Sequence, residues 1–226
     1  MSLILQIETA TTACSVAIAS QNEILAVKEL NQRNIHAEVI TVFIEEVFAS
    51  LKMQYVDIDA VAVSSGPGSY TGLRIGVSTA KGLCYALDKP LIAVETLQAM
   101  ANGMANSIND EDLLLCPMID ARRMEVYTAL FDGKGNRLQP TTAEIIDEHS
   151  FASVLEQQKV LFFGDGAAKC QEVLGKWSNA RFETDFINSA KHLSKGAFEA
   201  FSSQKFEDVA YFEPFYLKDF IAGKKA

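Results

Sequence analysis

Two distant stretches of the chain follow one pattern. ILQIE-TATTACS-VAIA-SQNE near the start and CPMID-ARRMEV-YTAL-FDGKGN from residue 116 each run strand, acid at the strand end, short turn, strand, turn. Glu8 and Asp120 hold equivalent places in them. Each stretch then continues with alternating helical and extended apolar patterns. A chain that repeats a meander and then alternates helix and strand is confined to two similar α/β units. The units divide as residues 1–108 and 109–226, with the last twenty or so residues able to pack back on the first. No low-complexity linker separates them, so they share a substantial interface.

In the first unit, strands are expected at 3–7, 14–19 and 23–30, with a tight turn at Gln21-Asn22. A helix over 35–51 carries Ile35, Val39, Ile40, Val42, Phe43, Ile44, Val47, Phe48 and Leu51. Those positions cover more than one narrow stripe, so part of the helix faces something beyond its own sheet. A strand within 59–65 leads into GPGSYTGLRIG (66–76) and a helix ending at Leu87, before Asp88-Lys89-Pro90. A strand at 91–94 and a helix over 95–106 complete the unit. In the second, strands are expected at 113–119, 126–131 and 160–163, a hairpin turn at 132–136, and helices at 151–157, 167–177 and 189–203.

Charge and composition narrow the function. With Lys+Arg 20 against Asp+Glu 29, the net charge is −9, opposite to what a chain gripping nucleic acid alone requires. Forty-nine per cent of residues are apolar, enough to bury a core, yet no window approaches the ~18 uninterrupted apolar residues of a membrane span. The N-terminus lacks the basic leader of a secretory signal. Cys14, Cys84, Cys116 and Cys170 stand far apart, never as CxxC, which reads as buried reduced thiols in a cytoplasmic protein.

The glycine segment follows a strand and opens a helix, a place where free amides and the helix dipole favour phosphate. It lacks the Lys-Ser/Thr of a Walker loop, and it reads GxGxxxG where a dinucleotide fingerprint reads GxGxxG. Glu95, at the end of the next strand, stands where a ribose-binding acid would. Against that reading, Pro67 removes an amide donor from the middle of the loop. Glycines that let two backbones pack closely are the alternative. At Glu8 and Asp120 the competing readings are a metal-nucleotide site and carboxylates bonded to their own turns. His36, His149 and His192 include no pair with metal-ligand spacing, and His36 reads as a half-exposed polar residue at a helix end. Ser64 and Ser65 are not in a GxSxG elbow.

IETATTACSVAI, HAE, GPGSYTGLRIGVSTAKGLCYAL, DARRMEVY and PFYLK together resemble the TsaB (YeaZ) family, almost end to end. That resemblance implies the actin-like, sugar-kinase-like (ASKHA, ribonuclease H-like) duplicated fold. It implies a degenerate ATPase-like subunit of the bacterial machinery making threonylcarbamoyladenosine in tRNA, not an enzyme alone. The partners it implies are a catalytic TsaD-like paralogue and a TsaE-like ATPase, with a homodimer when the paralogue is absent, and tRNA met only through the complex. Glu8 departs from the family's usual aspartate. The resemblance leaves a vestigial nucleotide site of Glu8, Asp120, Gly66, Gly68, Ser69 and Gly72, with weak ATP or ADP binding and no required cofactor. It places the partner interface on the first two long helices, at Ile40, Phe43, Ile44, Val47, Phe48, Leu73, Val77, Ala80 and Leu83, with Phe43, Val47 or Ile40 facing solvent in a monomer. The alternatives are an ASKHA-fold small-molecule kinase and a dinucleotide-binding protein.

Overall fold

The computed structural model describes residues 2–21, 23–108 and 110–218. Asn22, Asn109 at the unit boundary, and the Lys224-Lys225 tail lie outside the described residues. The first sheet is built from β1 (Leu3–Glu8), β2 (Ala13–Ser20), β3 (Glu23–Asn31), β4 (Ala60–Ser64) and β5 (Leu91–Val94), in the order β3-β2-β1-β4-β5. β1, β2 and β3 form an antiparallel meander, whereas β4 and β5 join parallel to β1 through the helices α1 (His36–Leu51) and α2 (Tyr70–Leu87). After α3 (Thr96–Ala105), β6 (Leu114–Asp120), β7 (Glu125–Thr128), β8 (Thr142–Ile145), β9 (Val160–Phe163) and β10 (Ala180–Glu183) form a second sheet, β10-β9-β6-β7-β8. Read from the other edge, this is the first order again, with the same parallel and antiparallel pairs. Helices α4 (Ala152–Leu155), α5 (Ala167–Leu174) and α6 (Ser194–Ser202) complete the second half.

The repeat exchanges helices between its halves. Leu97, Met100, Ala101 and Met104 of α3 pack with Leu115, Ile119, Phe131, Leu161 and Phe163 of the second sheet. Leu193 and Ala197, from the far end of the chain, pack on Ile4, Ala60, Ala62, Ile92 and Val94 of the first. The boundary at 108/109 therefore divides the sheets but not the layers. Residues 206–218 run along the first lobe as a strap: Glu207 bridges Leu91, and Val209 and Phe212 pack on the first lobe's core.

Strand β7 stops three residues short of the expected 126–131. Phe131 keeps the register by exchanging both backbone bonds with Leu115 at 2.9 Å, but Ala129 lies opposite Pro117, which has no N–H to give the ladder. Strands β8 and β10 are edge strands without clear alternation, and neither was legible in the sequence.

Most of the wide apolar face of α1 packs within the lobe, which corrects the expectation that Ile40 or Val47 faces solvent. Ile40, Ile44, Val47 and Phe48 are buried in the core shared with the sheet, and Val39, Phe43 and Leu51 pack half-buried against it. Val47, at 0% exposure, and Ile40 do not face solvent. On α2, Leu73, Val77 and Ala80 are buried, and Leu83 is half-buried. His36 is also buried, its ring nitrogen 3.2 Å from the Ala13 carbonyl, so the half-exposed reading is corrected.

Candidate functional site

The two strand-end acids behave alike locally. Glu8 ends β1, and its carboxylate accepts from the Ala10 amide, two residues on, at 2.6 Å. Asp120 ends β6 and accepts from the Arg122 amide, two residues on, at 3.0 Å. Such carboxylate turns satisfy the amides that a sharp strand exit leaves bare. Glu8 is fully buried, accepts a further bond from the Ser64 hydroxyl at 3.1 Å, and lies within electrostatic reach of Asp165 from the other lobe. Burial pushes its pKa up to about 7, partly countered by the Ala10 and Ser64 bonds.

The glycine segment faces the turn that Glu8 organises. A Cβ on Gly68 would collide with Ala10, one on Gly72 with the Thr9 carbonyl, and one on Gly76 with the Thr9 side chain. Gly66, at φ +113°, lies against the Phe215 carbonyl of the strap. Ser69 caps α2, its hydroxyl accepting from Gly72, while its own amide donates to the Ala10 carbonyl at 2.7 Å. The Ser69 and Gly72 amides are thus engaged within the chain, and the glycines serve close packing. Glu95 is engaged too: Arg137 and Thr141 of the second lobe both bond its carboxylate. That corrects its reading as a free ribose-binding acid.

In the second lobe, Gly164-Asp165-Gly166 follows β9 where Gly66-Pro67-Gly68 follows β4. Asp165 accepts from the Asp120 amide at 3.0 Å, and burial with the like charge of Asp120 raises its pKa. One helical turn into α5, Lys169 bonds the Asp120 carboxylate and donates to the Glu125 carbonyl at 2.7 Å. Sequence reading missed Asp165 and Lys169, although the repeat marked their position. Among the described residues no cluster of His, Cys, Asp and Glu has the arrangement of a metal site. No helix among them is long and apolar enough to cross a membrane.

The chain matches the family model for TsaD, tRNA N6-adenosine threonylcarbamoyltransferase, over residues 23–222. It is 33% identical to the Escherichia coli tRNA threonylcarbamoyladenosine biosynthesis protein TsaB over 98% of this chain and 97% of that one. The chain belongs to the TsaB (YeaZ) family. A Haemophilus influenzae TsaB is 38% identical over 55% of this chain and 51% of its own. YeaZ from Pseudomonas aeruginosa superposes with a TM-score of 0.78 at 24% identity, covering 96% of this chain and all of that one. An activator of 2-hydroxyisocaproyl-CoA dehydratase from Clostridium difficile, solved with bound ADPNP, superposes at 0.53 and 13% identity over 90% of this chain and 97% of that one. The TsaB-family chain therefore has the two-lobed ASKHA architecture.

Proposed function

We propose that this chain is a non-catalytic dimerisation subunit in tRNA threonylcarbamoyladenosine biosynthesis. It holds a catalytic TsaD-like paralogue in a competent arrangement while that paralogue transfers threonylcarbamoyl to an adenosine beside the anticodon. The near full-length likeness to a protein named for that pathway supports the pathway, and the match to the TsaD model supports a partner of the same fold. The observation that carries the non-catalytic role is that both strand-end acids are used inside the chain. Glu8 is buried on its own turn, and Asp120 is bonded by Lys169. Glu8 is enclosed and Asp120 already faces a cation of the chain's own, which also counts against the kinase reading. In this reading no cofactor is required, and ATP or ADP binds weakly without turnover.

The partner face lies one step outside the residues expected from sequence. Ser78, Gly82 and Tyr85 fall on one exposed stripe toward the C-terminal end of α2. Gly72 and Gly76 pack on Thr9, whereas a Cβ on Gly82 would meet nothing within 4 Å, so a second helix can approach there. Tyr85 is 87% exposed and suits an interface anchor. The same face serves a homodimer when the paralogue is absent. A TsaE-like ATPase joins the assembled pair, and tRNA is met through the complex in the cytoplasm.

The test is capture of the paralogue by the purified chain, with ATP turnover measured on each alone. Stoichiometric capture and no turnover by this chain are expected. Steady ATP turnover abolished by Glu8→Ala or Asp120→Ala would overturn the reading.

A further inference from the structure

In a chain of net charge −9, one surface gathers cations and aromatic rings. The β6–β7 turn carries Arg122 and Arg123, both exposed and both in the left-handed region at φ 73° and 48°. Two consecutive arginines there are unusual, because a Cβ disfavours that conformation and such turns favour Asn and Gly. Among the described residues neither guanidinium has an ion-pair partner.

A chain of contacts leads from that turn to a second cationic group. Glu125, two residues past Arg123, is paired with Lys218 of the strap. Two residues earlier in the strap, the Tyr216 ring meets the Tyr70 ring at a tilt of 38° with centres 4.9 Å apart, and its hydroxyl accepts from Arg74 at 3.2 Å. The Arg74 guanidinium lies 4.3 Å from the centre of the Tyr70 ring. The nearby acids are Asp120, Glu125, Asp165 and Glu213. Lys169 and Lys218 already pair with the first two, exposed Asp165 accepts from the Asp120 amide within electrostatic reach of Lys169, and exposed Glu213 acts through space on Arg74. The guanidiniums of Arg122, Arg123 and Arg74 are left exposed around a pair of tilted rings in contact.

We propose that Arg122, Arg123 and the Tyr216–Tyr70–Arg74 cluster form an RNA contact surface, with the arginines on phosphates and the rings beside unpaired bases. This rests on the proposed role in tRNA modification and adds to it the part of this chain that meets the RNA. Cations interleaved with aromatic faces suit single-stranded nucleic acid, since phosphates take the charge and every base has a face to stack. An acidic peptide would use the arginines but gain nothing from the rings, so RNA is the occupant the pair of features favours.

The probe is an unmodified tRNA transcript, titrated at low and then rising salt into the full chain alone and into its complex with the paralogue. The key variant is Arg122→Gly with Arg123→Gly. Glycine accepts the left-handed turn, so the melting temperature should hold or rise while the charge is lost. We expect binding to weaken about ten-fold at low salt, and the slope of log K against log salt to become shallower by about 1.4–1.8, two phosphates' worth. Tyr216→Ala should weaken binding about five-fold or more with the slope unchanged, and Tyr216→Phe should retain it. Unchanged affinity and slope in the double glycine variant, or no tRNA binding by the wild-type chain and complex even at low salt, would overturn the proposal. So would displacement by polyglutamate with no response to RNA, which would assign the surface to an acidic protein. Capture of the paralogue, read separately by light scattering, tests the scaffold role and is expected to be the same in all these variants.

Discussion

The Lys169 side chain bonds the Asp120 carboxylate and the Glu125 carbonyl together, tying α5 to the exit of β6. It puts a cation of the chain's own at the strand-end acid of the second lobe. Lys169→Met should therefore leave Asp120 facing Asp165 without a counter-charge. The pair is partly exposed, so the loss should be modest, about 1 kcal/mol at pH 8, or a fall of about 2–4 °C in melting temperature. The deficit should shrink as pH falls and Asp165, whose pKa is already raised, takes up a proton. Melting scans across pH check this.

Glu8 and His192 set opposite pH dependences. Glu8 has a folded pKa near 7 against 4.5 unfolded, so the folded state binds the extra proton between them. Its contribution falls as pH rises through that window and is constant above it. Burial pushes His192 down to about 4 from 6.5, so the unfolded state binds the extra proton and stability falls as pH drops through that range. Glu8→Gln keeps an acceptor for the Ala10 amide and removes the first effect. The variant should be more stable than wild type at pH 8 by roughly 1–3 kcal/mol, with the difference vanishing near pH 4. Urea denaturation at the two pH values measures it.

Two glycines of one helix should respond oppositely to alanine. Gly72→Ala drives a Cβ into the Thr9 carbonyl, and because this is backbone against backbone it should destabilise by more than about 2 kcal/mol. Gly82→Ala enters open space and should gain helix propensity worth about 0.8–1 kcal/mol. A bulkier Gly82→Leu should leave the chain folded while blocking a partner helix. Calorimetry of the three variants, with light scattering for the association state, separates packing inside the lobe from packing between chains.

Tyr85 gives the complementary test of the partner face. It is exposed on the same stripe as Gly82, so Tyr85→Glu should leave the fold unchanged by circular dichroism and weaken self-association at least ten-fold. Val47→Glu, by contrast, places a carboxylate in the core and should unfold the lobe. Sedimentation of the folded variant reads the first result, and a melting curve the second.

The duplicated topology was legible because the strand-acid-turn pattern repeats, and β1 to β7 and β9 fall close to where alternation and turn residues put them. Edge strands β8 and β10 carry half-exposed residues without a period and so left no signal. The break in β7 follows from Pro117 on the neighbouring strand, a cross-strand effect that a reading of β7 alone misses. The expected solvent exposure of Ile40 and Val47 failed for one reason. A helix that packs on a sheet and on a neighbouring helix needs a broad apolar face, and breadth alone does not distinguish that neighbour from another chain. Gly66 and the PFYLK segment were both visible in sequence. That the Phe215 carbonyl lies on Gly66 depends on the strap's path, which no local pattern encodes.

The central claim is that this chain supplies arrangement and not chemistry. Its most direct test is threonylcarbamoyl transfer to tRNA, measured while the chain is titrated into a fixed amount of its TsaD-like paralogue, with whatever further ATPase the system requires held constant. The account predicts no transfer by this chain without the paralogue, and transfer that rises with added chain and saturates at one chain per paralogue. Transfer by this chain without the paralogue, or a paralogue equally active with and without it, would contradict the account.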